Sequence, residues 1–475
     1  MLINLIHKSL KILLCKALVL AGLFLLYGCS KVSKDIEKTP NFIIIFTDDQ
    51  GYGDLGCFGG THVKTPQIDK MALEGTKLTS FYVAAPICTP SRAALMTGSY
   101  PKRVGIAKRV LLAADSLGLN PNEITIAEVL KSVGYKTGMF GKWHLGDQPE
   151  FLPTKQGFDT FFGIPYSHDI HPFHPNKKKY NFPSLPLLNG DVVIEKDPEA
   201  DYLNKRITEK AISFIEENKD NPFFVYLPHT SPHRPLLASP KFMKDAPNDI
   251  KEILKNEEGV DYKTRDKIYP QTIAEIDWSV GQILETLKKH GLDKNTFVIF
   301  TSDNGPSVGS ALPLKGRKGQ TFEGGMRMPT VVWWPGVIPA KASNDEVVTA
   351  MDLLPTFAKL SGAQIPDDRV IDGKDVFHTI QGKSKTPNQY FFYHSKGNLE
   401  AVRSGKWKLR ISGKQSPSLY NLENDIGETT NVIKSHPDIE SKLRLAIQDF
   451  ESEIKNNIRP AGFVKNPQAL MLKTY

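Results

Sequence analysis

Residues 41–59 read NFIIIFTDDQGYGDLGCFG. Phe42 to Thr47 is an unbroken apolar run without the alternation of a half-solvated strand. Such a run predicts a central strand of a parallel sheet, buried on both faces. It stops at Asp48 and Asp49 and passes into a glycine-rich turn. Residues 295–309, NTFVIFTSDNGPSVG, repeat the pattern: Phe297 to Thr301 predicts a second buried strand, closed by Asp303 and Asn304. Ligands of open α/β sheets bind beyond the carboxyl ends of the strands. Two such strands therefore predict three carboxylates and an amide on one rim. Adjacent carboxylates repel in a partly dry site, which makes a cation the natural occupant. All-oxygen ligation favours calcium or magnesium.

Between these strands the chain alternates helical and strand patterns. TIAEVLKSVGY (125–135) predicts a helix, and KTGMFGKWHLG (136–146) a strand running into Lys142 and His144. DYLNKRITEKAISFIEEN (201–218) has apolar residues at helical spacing. PFFVYLPHTSPHRP (222–235) predicts a strand that leads to His229 and His233. YPQTIAEIDWSVGQILETLKKHG (269–291) predicts an amphipathic helix with a glycine stop. Strands separated by helices imply a large α/β sheet, mixed but mostly parallel, with helices on both faces. After about residue 385 the texture changes. QYFFYHS, EAVRSG, KWKLRIS and PSLYNL are short strand candidates, and PDIESKLRLAIQDFES is a final helix. A small antiparallel sheet closed by a helix is expected there. The expected division is a catalytic domain over 41–385 and a C-terminal subdomain over 386–475.

The 475 residues suffice for one large domain and a smaller one. A composition 40% hydrophobic and 24% charged belongs to an ordinary globular protein and excludes a disordered chain. The net charge of +8 favours anionic partners without naming one; nucleic acid is not expected among them. Lys8, Lys11 and Lys16 precede ALVLAGLFLLYGCS (17–30), an apolar run too short for a stable membrane span. Its end, LLYGC, resembles a bacterial lipoprotein signal. That reading makes residues 1–28 a leader, Cys29 the lipidated first residue, and the polar stretch 29–40 a tether. It places the protein in the bacterial cell envelope, lipid-anchored, facing the periplasm or the outer surface. With Cys29 acylated, at most one disulfide remains possible, so disulfides do not hold this fold together. Cys57 is expected to be a packed thiol.

PICTPSRAALMTGSYP (86–101) sets Cys88 at a helix start with Arg92 four residues on. Here the chain resembles the type I sulfatases of the alkaline-phosphatase superfamily. CTPSR matches their C-x-P-S-R signature. DDQGYGDLGC, GKWHLG, GFDTFFGIPYSHD, SPHRP, TSDNG, RKGQTFEGGMRMP and LYNLENDIGETTN follow family segments in order. The resemblance runs from about residue 40 to 450 and points toward the arylsulfatase A and N-acetylgalactosamine-6-sulfatase branch. It implies that a maturation enzyme oxidises Cys88 to formylglycine, whose hydrate is the nucleophile. The start of a helix suits that position, because its free N–H groups favour developing negative charge.

The same resemblance, together with ligand chemistry, implies the remaining roles. Asp48, Asp49, Asp303, Asn304 and residue 88 hold one calcium ion. Arg92 forks onto residue 88 or the sulfate. Lys142 and Lys318 act as point charges on sulfate oxygens. His233 is the general acid for the departing alcohol, and His144 the base that frees sulfate from residue 88. Ser167 contacts substrate. His229 is the alternative acid, but PHRP matches the family's step better than PHTS. The loop SHDIHPFHPNKKKYNFP (167–183) gathers His168, His171, His174 and Lys177 to Lys179. It is either a solvated basic loop or a rim that reads an anionic sugar. A sulfated poly- or oligosaccharide is the expected substrate. The alternatives are a formylglycine-dependent phosphonate or phosphodiester hydrolase and a non-catalytic sulfoglycan-binding protein. Phosphatases of the superfamily that bind two zinc ions need more ligands than this chain offers.

Overall fold

The computed structural model describes residues 39–472 except 173, 175, 177, 178, 257–260 and 413–415. The leader, Cys29, most of the tether, Lys177 and Lys178 lie outside the described residues. In chain order the first strands are β1 (Asn41–Thr47), β2 (Thr76–Tyr82), β3 (Leu117–Gly118), β4 (Lys136–Lys142), β5 (Thr160–Ile164) and β6 (Pro186–Asn189). Then come β7 (Val192–Lys196), β8 (Phe223–Pro228), β9 (Thr296–Ser302), β10 (Arg327–Trp333), β11 (Ala342–Asn344) and β12 (Val348–Thr349). All but β3 join one sheet in the order β11-β2-β10-β9-β1-β8-β4-β5-β6-β7, with β12 also on β2.

The middle of this sheet is parallel. β1 pairs with both β8 and β9, and β4 pairs with β8 and β5. β10 runs antiparallel to β9 and β2, and β6 and β7 extend the far edge as antiparallel strands. The apolar run of β1 is explained by its place. Phe42, Ile44 and Phe46 enter the core on one face; Ile43 and Ile45 enter the core on the other. All five are fully buried, each worth about 1.5–3 kcal/mol relative to exposure.

The helices that cover the sheet are α1 (Pro66–Glu74), α2 (Cys88–Thr97), α3 (Ile126–Lys131), α4 (Leu203–Glu217), α5 (Tyr269–Lys289) and α6 (Leu353–Ser361). The second of these has every residue buried, and Gly98 ends it in the left-handed conformation at φ 63°. α3 opens on a capping box, Thr125 with Glu128, and stops at Lys131, four residues short of the pattern that predicts it. Gly134, at φ 89°, lies in the turn that follows.

The C-terminal strands are β13 (Phe391–Ser395), β14 (Asn398–Ser404), β15 (Trp407–Arg410) and β16 (Ser418–Asn421), an antiparallel meander. α7 (Pro437–Lys455) packs on it, with Phe450 stacked on Phe392 at 3.9 Å between ring centres. A last strand, β17 (Gly462–Phe463), pairs with β3. Residues 40–475 cluster as one compact unit. Among the described residues, no helix is long and apolar enough to cross a membrane.

Candidate active site

The order β9-β1-β8-β4 places four parallel strands side by side, so their carboxyl ends share one edge of the sheet. β1 delivers Asp48 and Asp49, β9 delivers Asp303 and Asn304, and β4 delivers Lys142 and, two residues on, His144. His233 follows the end of β8. Thr47 and Ser302 pair in register, which fixes Asp48 beside Asp303. Gly141 lets β4 approach β8: its φ is 132°, and a Cβ there would lie 1.8 Å from the Pro228 carbonyl oxygen. Asp49 (φ 70°) and His144 (φ 65°) hold left-handed backbone that costs on the order of 1–3 kcal/mol each. Such strain persists only where its surroundings enforce it. The Asp49 N–H donates to Asp303 Oδ1 at 3.1 Å, and the His144 N–H to the Pro165 carbonyl at 3.0 Å.

Cys88 is the first residue of α2, and its Sγ lies 3.5 Å from Asp48 Oδ1. Lys142 Nζ meets Asp48 Oδ2 at 2.5 Å, and Lys318 Nζ meets Asp49 Oδ2 at 2.7 Å. One turn along α2, Arg92 reaches Asp303 Oδ2 through Nε at 3.1 Å and Nη2 at 2.8 Å, and its Nη1 donates to the Lys142 carbonyl. His233 Nε2 lies 3.7 Å from Asp49 Oδ2. Its Nδ1 donates to the Arg234 carbonyl at 2.6 Å, with Ser167 Oγ at 3.4 Å. His144 Nε2 donates to the Leu111 carbonyl at 2.9 Å, while its Nδ1 is buried and has no hydrogen-bond partner. Because a carbonyl only accepts, both rings have fixed tautomers when neutral.

Electrostatics divides these groups. Burial opposes the charge on Asp48, but Lys142, His233 and Arg92 outweigh it and hold the carboxyl well below the usual range. At Asp303 the balance goes the other way: burial and the Asp48 charge push it up to about 7 despite the Arg92 fork. Burial lifts the Cys88 thiol well above its ordinary value. Burial and the cations Lys142 and Arg92 hold His144 well below its own, so it is neutral.

The oxygen donors here fit a hard cation. Donor atoms of Asp48, Asp49, Cys88 and His233 lie within 4.8 Å of one another. Asn304 Nδ2 donates to Asp49 Oδ1 at 2.6 Å, and its carbonyl Oδ1 is buried with no partner. Asp303 lies outside that close group, and its oxygens accept from the Asp49 amide and from Arg92.

The sulfatase family model matches residues 40–363, and a model described as N-sulphoglucosamine sulphohydrolase, C-terminal, matches 317–453. Human arylsulfatase A is 35% identical over 446 residues, covering 84% of this chain and 84% of that protein. This chain belongs to the sulfatase family. It is a sulfuric ester hydrolase. Mouse N-acetylgalactosamine-6-sulfatase is 36% identical over 414 residues, covering 82% of this sulfatase and 75% of that protein. The crystal structure of Ps i-CgsB in complex with k-i-k-neocarrahexaose superposes with a TM-score of 0.77 at 32% identity, over 90% of this chain and 95% of that one.

The sulfatase's strand ends thus unite Asp48, Asp49, Cys88, Arg92, Lys142, His233, Asp303, Asn304 and Lys318, with Ser167 against His233. His229 stands apart. Its Nε2 bonds Ser279 of α5 at 2.9 Å, and burial pushes it down to about 3. Cys57 and Cys88 are both free thiols, and burial and Asp69 push Cys57 up to about 12. Sequence reasoning missed Asp169, whose buried Oδ1 lies 4.0 Å from His233 Nδ1. It also missed the carbonyls of Leu111 and Arg234. Backbone acceptors leave no mark on residue identity, but Asp169 stood at the end of the quoted PYSHD.

Proposed function

We propose that this sulfatase removes sulfate from a sulfated carbohydrate, with residue 88 matured to formylglycine and one calcium ion bound. The observation that carries the reading is the cluster of buried Cys88, Asp48 and Lys142 with the partly exposed Lys318: a helix-start residue flanked by two ammonium groups that can receive a sulfate. Cys88 Sγ marks the place of the reacting oxygen. A hydrated formylglycine supplies there a hydroxyl nucleophile that a protonated thiol does not. Asp48, Asp49, Asp303, Asn304 and residue 88 would hold the calcium ion, which would supply Lewis-acid charge there.

The chain's own groups do the rest. Lys142 and Lys318 neutralise sulfate oxygens as point charges. Arg92 fixes Asp303 and the Lys142 carbonyl, so it orients two ligand-bearing strands at once. His233 keeps its Nδ1 proton on the Arg234 carbonyl and gives the alcohol a proton from Nε2. His144 keeps its Nε2 proton on Leu111 and accepts one at Nδ1.

Carbohydrate is favoured by a relative named for N-acetylgalactosamine and by one solved in complex with k-i-k-neocarrahexaose. The partners implied are a sulfated glycan and the enzyme that matures Cys88. The leader and Cys29 add a lipid anchor in a bacterial envelope. Assays with matched sulfate, phosphate and phosphonate aryl esters and a panel of sulfated oligosaccharides test the reading. Sulfate release, abolished by chelation and restored by calcium, is expected. Preference for the phosphorus esters would reassign the chain to phosphonate hydrolysis, and no turnover on any would leave a glycan-binding protein.

A further inference from the structure

The segment LYNLENDIGETTN (419–431) takes no part in the site just described, yet it holds a charged side chain with no exposure. Glu428 is fully buried and has left-handed backbone at φ 52°. Asp425 enforces that turn: its carboxylate accepts from the N–H groups of Thr429 and Thr430 at 2.8–3.0 Å, and its carbonyl accepts from Glu428 N–H at 3.2 Å. A buried carboxylate on strained backbone is costly unless several partners need it.

Its partners lie on the segment that carries Lys318. Glu428 Oε2 accepts the Glu323 N–H at 2.7 Å, and the Glu428 carbonyl accepts Lys315 Nζ at 3.0 Å. Lys408 of β15, also fully buried, sits 2.8 Å from both Glu428 Oε1 and Glu323 Oε1. Glu323 Oε1 also accepts Tyr393 Oη at 2.7 Å. Between these two ties, Thr321 donates to Glu400 at 2.6 Å and accepts from Arg410 at 3.0 Å. Segment 315–323 is therefore fastened to the C-terminal sheet at 321 and 323, and to the turn that follows the sheet at 315 and 323. Its opposite edge faces the catalytic helix, where Gly319 N–H donates to the Pro86 carbonyl at 2.8 Å. Lys318 lies inside this span.

We propose that Glu428 is a positioning residue for sulfate recognition: with Lys408 it locks segment 315–323 and sets the Lys318 ammonium at the catalytic centre. The C-terminal sheet thereby contributes to binding the group that is cleaved. This rests on the sulfate-binding role proposed above for Lys318.

A double-mutant cycle tests it. Inorganic sulfate is titrated calorimetrically into the mature, calcium-loaded enzyme and its variants Glu428→Gln, Lys318→Ala and the double variant. Loss of a charge-assisted contact predicts sulfate binding about 10- to 100-fold weaker in Lys318→Ala. Glu428→Gln is expected to weaken sulfate by about tenfold alone and not at all in the Lys318→Ala background. Equal weakening in both backgrounds overturns the positioning role while leaving Lys318 on the sulfate. Unchanged affinity in Lys318→Ala overturns the sulfate-binding reading and this proposal with it. Should Glu428→Gln not fold, Thr321→Val, which cuts the tie to Glu400 and Arg410, is read by the same cycle with the same expected and contradicting results.

Discussion

The general-acid role proposed for His233 rests on one atom. The Arg234 carbonyl occupies Nδ1, and Nε2 is left facing the Asp49 side of the site. A proton from Nε2 matters most to a poor leaving group such as a sugar hydroxyl, and least to a nitrophenol. His233→Ala should therefore cost about 10²–10⁴-fold more with a sulfated sugar than with an activated aryl sulfate. Steady-state kinetics on the two substrates measure the gap, and equal losses would move the acid role elsewhere. At this scale the sequence was readable where a side chain ends a strand or begins a helix, as at Asp48, Asp303 and Cys88. It was silent on Leu111 and Arg234, which act through carbonyls, and the motifs gave His144 a role but not its tautomer.

Four adjacent parallel strand ends make the site, and the helices brace them. Asp303→Ala removes a carboxylate from β9 and strands the buried Arg92 guanidinium. Stability should fall by about 3–5 kcal/mol and turnover should vanish. A chelator should lower the melting temperature of the parent and leave that of Asp303→Ala nearly unchanged; equal shifts would place the metal elsewhere. On α5, burial pushes Glu275 up to about 7, with Asp201 adding to the rise and Lys205 opposing it. One of its oxygens accepts the Ser239 N–H, and the other has no partner. The folded state thus binds this proton more tightly than the unfolded chain, so stability falls as pH rises from about 4.5 through 7. Glu275→Gln should abolish that loss and gain on the order of 3 kcal/mol over the parent at pH 8 relative to pH 4. Denaturant midpoints at the two pH values test it, and a gain independent of pH would contradict the assignment. Element types were legible for β1, β4, β8, β9, α3, α4, α5 and the C-terminal strands and helix, because continuous apolar runs and helical spacing are strong signals; the short edge strands β6, β7, β11 and β12 carry no such run. The early end of α3 was not, since its capping box and the following glycine turn outweigh an apolar pattern that continues to Tyr135.

Across the whole molecule, the change of texture near residue 385 corresponds to a real change of architecture, with an antiparallel sheet beginning at Phe391. Composition could not reveal that this sheet holds the Lys318 segment through buried charges, because Glu323, Lys408 and Glu428 look like surface residues in sequence. The proposed chemistry depends on what residue 88 becomes. Its thiol is buried and lifted well above its ordinary range, and the proposed nucleophile is the modified side chain. Cys88→Ser should melt with the parent and lose turnover, because one hydroxyl can accept sulfate but cannot release it again. The most direct measurement is tandem mass spectrometry of the peptide carrying residue 88, taken from a preparation of known turnover on a sulfated oligosaccharide. An aldehyde or its hydrate in place of the thiol, in proportion to activity across preparations, is the expected result. Full activity with an unmodified cysteine would contradict it.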